Sequence, residues 1–133
     1  VKERVGDVRE KAVTGRKIQA ILASRGDLDE ALRISREEAL APIRGMGLVA
    51  DEAVFQGFIA DVLQARGDLD EALRIRREEQ LPVYERLGDV RLVAVTKGQI
   101  ADVLQARGEL DEALRIRREE ELPGYERRGY FRA

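Results

Sequence analysis

The segment Ile59 to Arg86 reads IADVLQARGDLDEALRIRREEQLPVYER, and Ile100 to Arg127 reads IADVLQARGELDEALRIRREEELPGYER. Across these 28 positions only Asp68/Glu109, Gln80/Glu121 and Val83/Gly124 differ. A weaker third copy, IQAILASRGDLDEALRISREEAL from Ile18 to Leu40, lies the same 41 residues upstream. An unvarying period of this length marks a repeat array, in which no unit buries its apolar face alone.

The first half of each unit reads as a helix. Ile18, Ile21 and Leu22 recur as Ile59, Val62, Leu63 and as Ile100, Val103, Leu104, an i, i+3, i+4 spacing that forms one apolar stripe. Ala60 and Ala101 sit beside it, where helix axes can approach closely; the first copy has Gln19 there, so a looser fit is expected. Gly6-Asp7 and Gly88-Asp89 set a helix-ending glycine beside an N-capping aspartate, and Gly47-Leu48 keeps only the glycine. Inside each unit the turn is Arg25-Gly26-Asp27, Arg66-Gly67-Asp68 or Arg107-Gly108-Glu109. Asp27 with Glu30, and Asp68 with Glu71, have capping-box spacing. Arg-Gly-Asp is also the adhesion tripeptide, but each copy falls where a left-handed residue and a cap are needed, and the turn reading is preferred.

The second half opens Leu-Asp-Glu-Ala-Leu. At 100° per residue Tyr84 and Leu87 share the face of Leu69 and Leu73, as expected if one helix continues past Pro82. A kink is expected near Pro82 and Pro123, with Pro42 one position later in the first copy; a helix ending before each proline is the alternative. Asp70 with Arg74, Arg74 with Glu78, and likewise Asp111, Arg115 and Glu119, are read as solvated surface pairs.

Composition bounds the function. The 133 residues are 38% charged and 44% apolar, which suits a folded helical protein and not a disordered one. With 24 Lys+Arg against 26 Asp+Glu, there is no basic excess of the kind that holds phosphates, so nucleic acid is not expected as a partner. No apolar run reaches the roughly 20 residues of a bilayer span, and Val1 to Glu10 lack a signal peptide's apolar middle, so a cytoplasmic location is expected, with no membrane partner. A chain opening on Val1 is expected to be a fragment or trimmed. With no Cys and no His, and Ser and Thr confined to Ser24, Ser35, Thr14 and Thr96, there is no nucleophile and base constellation and no thiolate site: no enzyme, cofactor or metal is expected.

Gly67-Asp68-Leu69-Asp70-Glu71-Ala72-Leu73 and Gly108-Glu109-Leu110-Asp111-Glu112-Ala113-Leu114, with Gly26 to Leu32 in the first copy, resemble the most telling segment of the tetratricopeptide repeat. The 41-residue period is similar to the longer bacterial variants. The resemblance implies an all-α fold, a right-handed α-solenoid of three antiparallel helix pairs over 7–45, 48–87 and 89–128, forming one repeat domain of 1–133 with a tail at 129–133. Where that family places an apolar and a small residue in the second helix, this chain has Arg76 and Glu79, then Arg117 and Glu120. Isolated buried charge is costly. The expectation is therefore a polar network between neighbouring repeats, against the alternative that these residues rotate into water.

The same resemblance implies a concave groove lined by the first helices. Counted from the turn glycine, it would present Arg16, Lys17 and Ala20, then Phe58, Asp61 and Gln64, then Gln99, Asp102 and Gln105. The family's acceptors of acidic tails use Lys and Asn at such positions; here Asp61 and Asp102 oppose a carboxylate. A protein or peptide segment of basic character is the expected ligand of a binding scaffold. For Phe58 the alternative is core or end packing, and for Asp61 and Asp102 simple solvation. The alternative function is a self-associating structural module of a larger regulatory protein, a homo-oligomer joined through open repeat ends. Arg128 and Tyr130, replacing Leu87 and Asp89, read as the end of the array, with Tyr130 and Phe131 available to dock on another chain.

Overall fold

A computed structural model of the chain describes residues 4–123. The end of the third helix pair beyond 123, with Arg128, Tyr130, Phe131 and the 129–133 tail, lies outside the described residues. Six helices follow one another, and the described residues contain no strand. Helix α1 is Val5–Ser24. Helix α2 begins as Leu28–Ile34, passes through a π-helical segment, Ser35–Leu40, and ends as Ala41–Gly45. Helix α3 is Val49–Arg66. Helix α4 joins Leu69–Arg74, the π segment Ile75–Gln80 and Leu81–Leu87. Helix α5 is Val90–Ala106, and α6 joins Leu110–Ile116 to the π segment Arg117–Glu121.

Two compact units divide at Asp68 and Leu69. In the first, α2 packs against both α1 and α3; in the second, α5 packs against both α4 and α6. The division falls at a turn inside the second repeat and not between repeats. Within each unit a helix packs on its neighbour from the adjoining repeat as well as on its own partner.

The three internal turns close in one way. Gly67 and Gly108 both have a φ of 85°, where a Cβ would cost about 1–2 kcal/mol. Their N–H groups donate to the Gln64 and Gln105 carbonyls at 3.0 Å, and the next residues donate to Leu63 and Leu104 at 2.8 Å. This paired closure satisfies the last carbonyls of the preceding helix. Gly26 and Asp27 repeat it on Ala23 and Leu22. At Asp27 the expected capping box does not form. The carboxylates of Asp27, Asp68 and Glu109 turn back to Arg25, Arg66 and Arg107, at 3.3, 3.2 and 3.1 Å. Asp89 has Leu87 and not a cation two residues before it, and it does cap, accepting from the Leu92 N–H at 3.0 Å. Gly6-Asp7 marks no boundary, because α1 already starts at Val5.

Helices α2 and α4 continue through their prolines, and each π segment ends just before one: Pro42, Pro82 or Pro123. An α-helical proline ring would meet the carbonyl four residues back; a wider turn moves that carbonyl aside and absorbs the missing donor. The wide turn also sets back every later side chain by roughly one position, about 100°. Tyr84 is buried as expected, while Leu87, the last residue before Gly88 and placed by an unbroken α-helical count on the same face, is exposed.

The apolar stripe of the first helices is buried in α3 and α5, where Ile59 is 1% and Ile100 3% exposed, with Val62, Leu63, Val103 and Leu104 alongside. In α1 it is not: Ile18 is 37% and Ile21 61% exposed. Helix α1 instead buries Val8, Ala12, Gly15 and Gln19. The difference is one of neighbours. In their units α3 follows α2 and α5 follows α4, and no described helix precedes α1.

Candidate functional site

In the first unit α1 and α3 flank a cleft of about 470 Å³. Its apolar lining comes from Ala12 and Val13 on α1, Ile43 on α2, and Val54, Phe55 and Phe58 on α3. Spacings of three and four residues bring these α3 side chains onto one face. Phe55 is buried, and Phe58 meets it edge to face, centroids 5.3 Å apart and planes at 86°, a favoured aromatic geometry. Phe58 is half-buried, its ring covered by the Arg16 guanidinium at 4.3 Å from the centroid. Arg16 donates to the Gln19 amide oxygen at 2.9 Å, and Gln19 donates onward to the Phe58 carbonyl at 3.2 Å. Gln19 is thus buried and bonded, joining α1 to α3 where the other copies place alanine. It positions both Arg16 and Phe58.

The rim is charged. Arg9 pairs with Asp51 at 2.7 Å, tying α1 to α3, and Lys17 lies exposed at the edge. Three cations against one acid leave the cleft net positive, with an attraction that weakens as salt rises. Expected groove residues Arg16, Lys17 and Phe58 are therefore brought together. Ala20 is half-buried on α1, and Asp61 and Gln64 follow on α3, exposed and half-buried. Gln99, Asp102 and Gln105 belong to α5 in the second unit, the first half-buried and the other two exposed.

Asp102 forms an ion pair with Arg117, which holds the Arg117 guanidinium above its usual pKa, and Arg117 also reaches Glu121 at 2.8 Å. The sequence supports that pairing: the third copy carries Asp102 with Arg117, and the first has Ala20 with Ser35 at the same positions, so acid and base leave together. The expectation of a basic ligand drew on Asp102, whose charge is taken up within the chain. Glu120 bonds Arg115 at 2.9 Å and Lys97 at 3.5 Å, and Glu79 bonds Arg74 at 3.2 Å. Arg117, Glu120 and Glu79 thus have ion pairs inside their own repeats. Arg76 is buried, 2% exposed, and donates to the Gln80 side chain at 3.0 Å.

Surface pairing follows the expected pattern at Arg74–Glu78 and Arg115–Glu119, both at 3.5 Å, and departs from it on the other side. Arg74 and Arg115 bond Glu71 and Glu112, at 2.7 and 2.8 Å, in preference to Asp70 and Asp111; those hydrogen bonds raise both arginines' pKa and lower that of Glu112. Replacing Glu79 or Glu78 with alanine is expected to lower stability by under ~0.5 kcal/mol in each case, because both contacts are solvated. Equal small shifts in urea midpoint are the check, and a loss several times larger for Glu79→Ala would put it in a buried network.

Sequence reasoning missed Val13, Val54, Phe55, Arg9 and Asp51. The signal was present: Val13, Val54 and Val95 are the same repeat position, the first two exposed and the third half-buried, and an aliphatic residue kept in every copy at a position open to water points to a lined surface. No described cluster of three His, Cys, Asp or Glu could hold a metal. No described helix is long and apolar enough to cross a membrane.

Residues 53–78 and 101–119 match the family profile of the tetratricopeptide repeat. No curated protein and no solved structure matches the chain.

Proposed function

We propose, for a chain that carries tetratricopeptide-like repeats, a non-catalytic scaffold that binds a segment of another protein in the α1/α3 cleft of its first unit. Repeats of this type generally mediate protein–protein interaction. The observation that carries the reading is the apolar, cation-rimmed cleft itself, too open to be core and too apolar to be ordinary surface. A large aliphatic or aromatic side chain would fill it, with an acidic neighbour directed at Lys17 and Arg16. The basic character expected of the partner rested on Asp61 and Asp102; the cleft favours an acidic flank, and the ligand is proposed on that basis. Cytoplasmic location belongs to the same proposal.

A random peptide library panned against the protein is expected to enrich sequences with a bulky apolar residue beside Asp or Glu. Val13→Asp, a change at an exposed position that leaves the fold alone, should weaken the selected peptides by about tenfold or more, the order expected from losing one buried apolar contact. Undiminished capture by Val13→Asp would remove the cleft from the function.

A further inference from the structure

Each internal seam between adjoining repeats is built the same way, and both halves of that seam recur exposed on α1 and α6. On the first helices, Ile59 and Val62 of α3 and Ile100 and Val103 of α5 are buried where α2 and α4 pack on them. The equivalent residues of α1, Ile18 and Ile21, are exposed. On the second helices the pattern is mirrored. Leu32 of α2 and Leu73 of α4 are 3% and 5% exposed, whereas Leu114 of α6, at the same repeat position, is 48% exposed, with Leu110 and Leu122 also exposed. Ala31/Ala72/Ala113 and Ile34/Ile75/Ile116 stay buried in all three copies. The residues that change lie on helices that pack on the adjoining repeat in the internal copies and have no such neighbour among the described residues on α1 and α6.

The polar contacts of the seam follow the same logic. Arg66 of α3 pairs with Asp29 of α2 at 3.1 Å, and Arg107, just past α5, approaches Asp70 of α4 at 3.6 Å. The corresponding residues beside α1 and on α6 are Arg25, whose ion pair among the described residues is with its neighbour Asp27, and Asp111, which has no ion pair among them. Arg77 of α4 acts on Glu112 of α6, and the equivalents left at the two ends are Arg118 and Glu30.

We propose that copies of this chain associate head to tail, the α6 face of one covering the α1 face of the next with the contact that α2 makes on α3. Leu114 would settle over Ile18 and Ile21, and Asp111 would meet Arg25. The two faces carry different residues, so the contact is heterologous. This inference is independent of the α1/α3 cleft, whose lining contains none of these residues.

Light scattering of the unmodified chain is expected to show a mass that rises with concentration. Ile18→Asp and Leu114→Asp, both at exposed positions, should each give monomers with unchanged helical circular dichroism. An equimolar mixture of the two should form a one-to-one dimer and nothing larger, since only one compatible pair of faces remains. A monomeric unmodified chain at every concentration overturns the proposal, as does a mixture that stays monomeric, which would mean a like-to-like interface. Monomers whose stability falls with Leu114→Asp would place residues of the same chain over α6 and overturn it equally. Peptide capture by Ile18→Asp should be unaffected, so the two readings fail separately.

Discussion

Ile59→Ala and Ile100→Ala are each expected to lower stability by roughly 2–4 kcal/mol, the range for removing aliphatic atoms from a closed core and leaving a partly unrelaxed cavity. Ile18→Ala, the same substitution at the same repeat position, should cost under ~1 kcal/mol, because its side chain is already in contact with water. Urea titrations followed by circular dichroism give the three values on one scale. The prediction turns on neighbours and not on residue type: the three isoleucines are chemically identical and have identical spacing to the turn glycine. Three equal losses would mean that the apolar stripe of α1 is covered in solution. Agreement at low protein concentration, with a larger Ile18→Ala loss at high concentration, is what head-to-tail association adds, because binding partners stabilise by mass action.

Arg76→Ala is expected to be the other large loss, about 3 kcal/mol or more. The Arg76 side chain is among the largest that are fully buried; its removal empties a volume comparable to a core residue and leaves polar groups without the donor they were folded around. One of those groups is the Gln80 side chain, which passes the contact on by donating to the Tyr84 hydroxyl at 3.4 Å. Burial pushes the Tyr84 phenol above its ordinary pKa, against the opposing influence of Gln80 and Arg76. Arg117→Ala, the repeat equivalent, should cost under ~1 kcal/mol, since Arg117 and both its carboxylate partners are partly solvated. Thermal or urea unfolding of the two variants is the comparison. The same contrast explains one of the few differences between the copies: position 80 is Gln and position 121 is Glu. A carboxylate at 80 would be taken out of water, while at 121 it remains half-exposed and pairs with Arg117.

Much of the architecture was legible from residue order, because it depends on local chemistry. Helix pairs, their lengths and the stripe of Ile59, Val62 and Leu63 follow from apolar spacing, and the internal turns follow from glycine at a place where only a left-handed residue closes the chain. The cleft was half legible. Arg16, Lys17 and Phe58 followed from counting back to the turn glycine, whereas Val13, Phe55 and Asp51 needed the neighbouring helix in place.

Tertiary structure decided three things that a periodic sequence leaves open. The π turns before the prolines carry each second helix past the residue that would have ended it, and at the end of α4 Tyr84 is buried while Leu87 is exposed. Charge pairing went to the nearest partner in space: Asp102 took Arg117 across a helix pair, and the turn aspartates took the arginines beside them over the helix ends. Above all, identical stripes met different neighbours. A repeat specifies the same apolar face in every copy, but burial belongs to the contact and not to the residue. Ile18 and Leu114 therefore stand in water for the same reason that Ile59 and Leu73 do not.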